Sequence, residues 1–450
     1  MSTTLTERLQ AVVGRAHVVT DPDVLDGRSV DYTGRYRGQA SALVRPGSAD
    51  EVAAVLRECR EAGVCVTVQG GRTSLVAGTV PENDDVLLST ERLTEIGAVD
   101  ATDRRVRVGS GVTLAALQRA ATEAGLLFGV DLAARDSATV GGMASTNAGG
   151  LRTVRYGNMG EQVIGLDVAL PDGSVVHRHS QVRADNTGYD LAALFIGAEG
   201  TLGVITGLDL RLHPVPPHRV TAVCGFATLD DLVAAGRALR DTDAIAALEM
   251  VDGRAAALAA EHLGVPVPVD GHWLLLIELA GATDLTEQLA GALEGTELAG
   301  EPAVGIDATS QQRLWQVRES TAEVVGLFGP PLKFDVSLPL SAIPPFAADS
   351  AALVAEHAPR AVPILFGHIG EDNLHLNVLR CGAEQERHLY AAMMKMIAAH
   401  GGNVSSEHGI GSRKRAYLAM SREPADIAAM RAIKAAFDPT GYLNPAVLFA

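Results

Sequence analysis

Over residues 44–68 the apolar positions follow first a helical and then a strand period. Ser48 stands where an N-cap is needed, and Glu51, three residues on, completes the pattern of a capping box. Val52, Val55 and Leu56 recur at helical spacing, Gly63 supplies a stop, and the β-branched run at 64–68 predicts a strand. A Gly-rich segment, QGGRTSLVAG (69–78), comes next, and then a short apolar strand at 86–88. The pattern predicts a hairpin over 96–108, an amphipathic helix over 114–124, and two strands within 163–176 joined by Pro171-Asp172-Gly173. A further strand follows over 202–212.

The Pro-rich stretch HPVPPHR (213–219) marks a domain boundary. Beyond it, strands are predicted at 220–226, 273–279, 333–338, 362–366 and 375–379, and helices at 229–239, 286–293 and 350–357. The tail from 420 reads as a helix followed by FDPTGYLNPAVLF. Together these elements predict an α+β fold whose second half is a sheet covered on one side by helices.

At 450 residues the chain is too long for one ordinary core. Its net charge of −17, with no basic run, argues against nucleic acid or an anionic membrane as partner. An anionic substrate must therefore be drawn in by local cations. Four scattered cysteines without a Cys-x-x-Cys pair argue for reduced thiols rather than a disulfide framework. No signal peptide and no run long enough to span a bilayer is evident, so a cytoplasmic location is expected.

Candidate chemistry gathers near the C-terminus. FGHIGEDNLHLNV (366–378) carries His368 and His375, and SSEHGIG (405–411) carries Glu407 and His408. Imidazoles and a carboxylate are the ligand set of an open zinc-type site, and the same groups move protons. On a strand, His375 and Asn377 would face the same side. The alternative is a pair of surface histidines in Gly-rich loops; the glycine framing of the whole set favours a site.

Two more Gly-rich segments, ATVGGMASTNAGGLRTVRYGNMGEQVIGLDVALPDGS (138–174) and DNTGYDLAALFIGAEGTLGVIT (185–206), join the first loop. The first loop, 69–78, is neither a Walker loop nor a clean Gly-x-Gly-x-x-Gly. Three such loops in one predicted domain point to a large phosphate-bearing cofactor.

With these segments, the order STNAGGLRTVRYG, DNTGYDL, FIGAEGTLGVIT, GHIGEDNLHLN, SSEHGIG, FDPTGYLNP resembles the vanillyl-alcohol oxidase/p-cresol methylhydroxylase superfamily over residues 32–449. Within it, the chain is similar to the FAD-linked D-2-hydroxyacid dehydrogenases, which include D-2-hydroxyglutarate and D-lactate dehydrogenases and the glycolate oxidase flavin subunit. The resemblance implies a two-part FAD-binding domain of the p-cresol methylhydroxylase type (38–215). An α+β substrate- and metal-binding domain with an antiparallel sheet (216–410) and a tail returning to the flavin (411–450) follow. It places Gly70, Gly71, Arg72, Thr73, Ser74 and Leu75 at the pyrophosphate. Asp131, Gly141, Gly142, Asn147, Gly149, Gly150, Gly200, Ile205 and Asn444 would lie at the flavin. The first loop has Ser74 where glycine is usual and no histidine at the tethering position, so non-covalent FAD is expected.

For the reaction, the resemblance implies a metal, with zinc expected, on His368, His375 and Glu407, and His408 as general base. It places Arg318, Lys333 and Asn377 at the substrate. Alternatives stay open. His408 as a fourth ligand or a substrate hydrogen-bond partner is one, and Arg318 paired with Glu319 or Asp335 on the surface is another. Ala322, with Thr321 one residue early, and Glu371-Asp372 in place of Asp-Gly depart from the dicarboxylate-specific pattern. A 2-hydroxyglutarate-like acid is favoured; the runner-up is a D-lactate or glycolate dehydrogenase, metal-independent or part of a complex. A zinc hydrolase would leave the Gly-rich loops unexplained, and a non-catalytic flavin-binding subunit would leave the proton-transfer and carboxylate-binding residues unexplained. Beyond the hydroxy acid, the expected partner is an electron-transfer flavoprotein or quinone, with a homodimer as the assembly allowed for.

Overall fold

The computed structural model describes residues 4–82, 84–179, 182 and 185–449. The chain divides into two compact units. The first comprises Met1–Gly149, Gly157–Val215 and Glu407–Ala450, and the second Gly150–Tyr156 and Pro216–Ser406.

The first unit holds two four-stranded sheets. One has the order Val18–Val19, Ala40–Val44, Asp85–Ser89, Val66–Gln69, its last three strands parallel. The helix Ala49–Ala62 connects two of them and buries Val52, Val55, Leu56 and Cys59 in a core shared with Val44, Val66 and Val86. Its expected capping box is only half formed. Ser48 Oγ accepts the Glu51 N–H at 3.1 Å, but the Glu51 carboxylate takes the N–H of Gly47 rather than that of Ser48. Gly63 ends the helix in the left-handed region at φ 67°, where a side chain would be strained. The C-terminal stretch adds to the same sheet through a parallel bridge from Leu443 to Val66.

The second sheet is antiparallel, in the order Arg105–Gly109, Val204–Arg211, Val163–Ala169, Val175–Arg178. The hairpin expected over 96–108 forms through bridges Ile96–Val108 and Asp100–Arg105. The helix Leu114–Glu123 closes the core over this sheet with Leu114, Leu117 and Ala121.

The second unit is built on a seven-stranded antiparallel sheet. Its order is Ala303–Gly305, His218–Phe226, Trp273–Gly281, Ile245–Asp252, Val362–Gly367, Asn373–Leu379, Leu332–Ser337. Positions 274–280 are buried without alternation. Both faces are therefore covered, which corrects the expectation of a one-sided sheet. The helices Ala308–Val324 and Leu229–Arg240 both pack on it. The helix expected at 350–357 begins seven residues earlier, at Ile343, because Pro344 and Pro345 sit in the first turn, where no N–H is needed. Among the described residues no helix is long and apolar enough to cross a membrane.

Candidate functional site

In the second unit, strand register decides where the charges go. Antiparallel partners share a face, as do residues two apart on one strand. Val251 pairs with Phe366, Phe366 with His375, His375 with Asp335, and Asn377 with Lys333. Glu249, two before Val251, therefore shares a face with Lys333, Asp335, His375 and Asn377. The helix Ala308–Val324 lies on that face and brings Trp315 and Arg318 to it.

Glu249 joins two of the expected site residues. One carboxylate oxygen lies 2.7 Å from His368 Nδ1, and the other accepts from Arg318 Nε at 2.7 Å. Burial opposes ionisation of Glu249, but His368 and Arg318 outweigh it and hold the carboxyl group below the usual range. Arg318 is 5% exposed and stacks on the Phe366 ring at 4.8 Å. The alternative of a surface pair with Glu319 or Asp335 is thus replaced by a buried pair with Glu249.

His368 and His375 meet edge to face, with ring centroids 5.3 Å apart. Asp335 Oδ1 lies 3.9 Å from His375 Nδ1, and its Oδ2 accepts the N–H of Ser406 at 3.1 Å and the hydroxyl of Ser405 at 3.3 Å. Glu407 and His408 follow directly in the chain. With His368 Nδ1 turned to Glu249, Nε2 is the nitrogen for coordination, in the carboxylate–imidazole arrangement common behind metal ligands. Two imidazoles with carboxylates nearby are a donor set that fits a divalent metal.

Lys333 is half-buried, and burial alone lowers its pKa, with no carboxylate to offset it. Thr321 turns its hydroxyl back to the Val317 carbonyl at 3.0 Å, and Glu278, on the same sheet, takes Trp315 Nε1 at 2.9 Å and Arg152 Nε at 3.0 Å. Asp372 adopts φ 60°, the conformation a glycine would hold there, and is tied to Arg240 at 2.8 Å.

The Gly-rich segments lie in the first unit, apart from Gly150–Tyr156 of the second segment, which belongs to the second unit. A Cβ on Gly70 would come within 2.6 Å of Thr139 Oγ1, and one on Gly71 within 2.0 Å of the Ser137 carbonyl. Likewise, a Cβ on Gly141 would strike Ser110, and one on Gly200 would approach Asn444 Nδ2 at 2.6 Å. These glycines thus let the loops lie directly on one another. Asn147 caps the helix Val140–Thr146 at φ 52°, and its Oδ1 accepts the Gly160 N–H. Asn444 Oδ1 accepts the Val68 N–H and its Nδ2 donates to the Glu199 carbonyl, both at 2.8 Å. Asp131 accepts from Gln118 at 3.1 Å, Arg72 reaches the Gly27 carbonyl at 3.0 Å, and Ile205 is buried in its strand. Thr73, Ser74 and Leu75 are half-buried. Ser110 Oγ and Gln69 Oε1, beside these loops, are buried polar atoms without a hydrogen-bond partner. An orphaned hydroxyl and amide oxygen beside stacked backbone loops fit a polar cofactor.

In the first unit, His408 Nε2 lies 3.7 Å from Glu407 Oε1. A separate cluster on the antiparallel sheet of this unit, Asp167, His177 and His179, could hold a cation by its residue types. Arg107 already spans Asp167 and Asp209 there, with Asp209 at 3.2 Å, so the cluster is an ion-pair network. Sequence reading passed over Glu249 and Glu278 and named Asp335 only as a surface partner for Arg318. The available signal is a carboxylate within an apolar run, as Glu249 in IAALEMV.

Residues 40–178 match the family described as FAD binding domain, and residues 215–448 match FAD linked oxidases, C-terminal domain. The chain is 34% identical to a D-2-hydroxyglutarate dehydrogenase of Stutzerimonas stutzeri, covering 99% of each chain. It is 36% identical to the mitochondrial D-2-hydroxyglutarate dehydrogenase of Bos taurus, over 97% of this chain and 81% of that one. Among solved structures, p-cresol methylhydroxylase with substrate bound superposes with a TM-score of 0.81 at 18% identity, over 98% of this chain and 95% of that one. That last likeness bears on the fold.

Proposed function

The chain belongs to the FAD-linked oxidases and, within them, to the D-2-hydroxyglutarate dehydrogenase family; from that premise we propose how its own residues oxidise a D-2-hydroxy acid. The substrate is a 2-hydroxyglutarate-like dicarboxylate and the product its 2-oxo acid. When bound, FAD would supply the hydride acceptor, and a divalent metal, zinc by its donor set, would lower the pKa of the substrate hydroxyl. His368, His375 and Glu407 would hold that metal. Glu249 fixes the tautomer of His368, and Asp335 steadies His375 and the turn before Glu407. His408 takes the hydroxyl proton, a role suited to an imidazole. Arg318, already oriented by Glu249, binds the C1 carboxylate with its outer nitrogens, while Asn377 hydrogen-bonds the substrate beside His375. An electron-transfer flavoprotein or quinone would be the electron acceptor.

The observation that carries this reading is Lys333. Its ammonium is half-buried on the face shared with His375 and Asn377, and an anion bound there would offset the cost that burial puts on its charge. The second carboxylate of the substrate is that anion. Anaerobic flavin bleaching with a panel of D- and L-2-hydroxy acids tests it. D-2-hydroxyglutarate should bleach fastest, and Lys333→Met should erase its advantage over D-lactate. Equal losses for both acids would place Lys333 at the C1 carboxylate instead, and bleaching by L-acids would overturn the reading.

A further inference from the structure

The loop that carries Glu407 and His408 rests on a carboxylate to which the reaction as described gives no part. Glu199, in the third Gly-rich segment, adopts φ 51°, a conformation uncommon for a residue with a side chain. One carboxylate oxygen accepts the N–H of Ile410 at 2.8 Å and the other the N–H of Gly411 at 2.7 Å. Gly409, at φ 81°, lies against the same carboxylate, where a Cβ would come within 2.9–3.1 Å of its atoms. Lys414, itself 2% exposed, supplies a favourable charge nearby.

The backbone of Glu199 is bound just as closely on its other side. Its N–H donates to the Ser145 carbonyl at 2.7 Å, and its own carbonyl accepts Asn444 Nδ2 at 2.8 Å. Asn444 in turn holds the N–H of Val68, in the strand that leads into the Gly70–Gly71 loop. One residue therefore ties the second and third Gly-rich loops, the tail and the His408 loop together, all within the first unit. Glu199 is partly exposed by surface area, yet its carboxyl group lies deep, and burial pushes its pKa up. The two amides and Lys414 pull the other way and favour the ionised form.

Resting on the assignment of His408 as the base, we propose that Glu199 is a positioning residue for proton removal: its carboxylate fixes the Glu407–His408 loop against the loops that hold the flavin. A carboxylate is required because both oxygens must accept. A glutamine of the same size accepts one N–H and turns an NH2 group against the other, displacing the loop by a fraction of an ångström. Misplacement of that order costs up to about a hundredfold in rate.

The test is a double-mutant cycle read by anaerobic stopped-flow flavin reduction in the holoenzyme, using Glu199→Gln, His408→Asn and the pair. Glu199→Gln should keep its FAD, by absorbance, and slow reduction about ten- to a hundredfold. In the His408→Asn background it should cost nothing further, since it acts through that side chain. A parental rate in Glu199→Gln, or an equal fold-loss in both backgrounds, overturns the proposal. If His408→Asn alone reduces flavin at the parental rate, the base assignment fails and the proposal falls with it. Should Glu199→Gln not fold or not hold FAD, Glu199→Asp replaces it in the same cycle, judged by the same outcomes.

Discussion

The two units solve the placement of functional groups in opposite ways. In the first, close backbone approach does the work: Gly70, Gly71, Gly141 and Gly200 are bare where neighbouring segments press in, and the side chains of Asn444 and Glu199 hold the loops by accepting from main-chain N–H groups. In the second, regular strands carry charged side chains into a buried face, where Glu249, Glu278 and Asp335 are each no more than 2% exposed. The first arrangement does not tolerate an added methyl group at these glycines. The second tolerates neither an unpaired charge nor a missing partner, because a buried charge without its counter-ion is costly.

If that contrast holds, substitutions should separate cofactor retention from site integrity. Glu249→Ala should have the largest effect. Breaking one partner out of a buried ion pair costs about 3–5 kcal/mol, and it leaves Arg318 buried without its counter-ion and His368 without its orienting group. Thermal unfolding should report the loss. At temperatures where the variant stays folded, its metal content should fall while FAD absorbance persists. Retention of metal at parental occupancy would show that Glu249 does not orient His368.

Gly71→Ala probes the other arrangement. A methyl group 2.0 Å from the Ser137 carbonyl forces a backbone shift, and overpacking of this kind costs about 1–3 kcal/mol. The expected outcome is weakened FAD binding with metal content unchanged, the reverse of Glu249→Ala. Equal loss of both groups would erase the distinction between the units.

A smaller effect is expected at Glu278, which sharpens the comparison through pH. Burial raises its pKa, but Arg152 and Trp315 outweigh this and leave the folded value below the ordinary one. A depressed folded pKa gives stability that is fully present above the unfolded carboxyl pKa of about 4.3 and is lost as pH falls through the folded value. Glu278→Gln should remove that acid-side component at a cost of about 1 kcal/mol near neutral pH, the difference between charged and neutral hydrogen bonds. Denaturant midpoints from pH 7 down to 3 measure it, and an unchanged acid limb would contradict the assignment.

What could be read in advance follows the same division. The helix at Ala49–Ala62, the turn at Pro171-Asp172-Gly173 and the strands of the antiparallel sheet were legible because local periodicity and turn chemistry decide them. His368, His375, Asn377 and Arg318 stood out through their motifs. Glu249 and Asp335 did not, since their meaning depends on register across strands distant in sequence, such as Val251 beside Phe366 and Asp335 beside His375. The helix Ala308–Val324 escaped because its buried face is partly polar, with Arg318, Ser320 and Thr321 inside it. The full capping box at Ser48 failed because Glu51 found a better-placed N–H one residue upstream, at Gly47.

The central claim is that a metal held through His368 and His375 is needed for chemistry, while the flavin is held independently by the loops of the first unit. Carefully metal-stripped protein, mixed anaerobically with D-2-hydroxyglutarate, tests it most directly. FAD should stay bound, its visible absorbance should not bleach, and added zinc should restore reduction. Bleaching at the full rate in metal-free protein would contradict it.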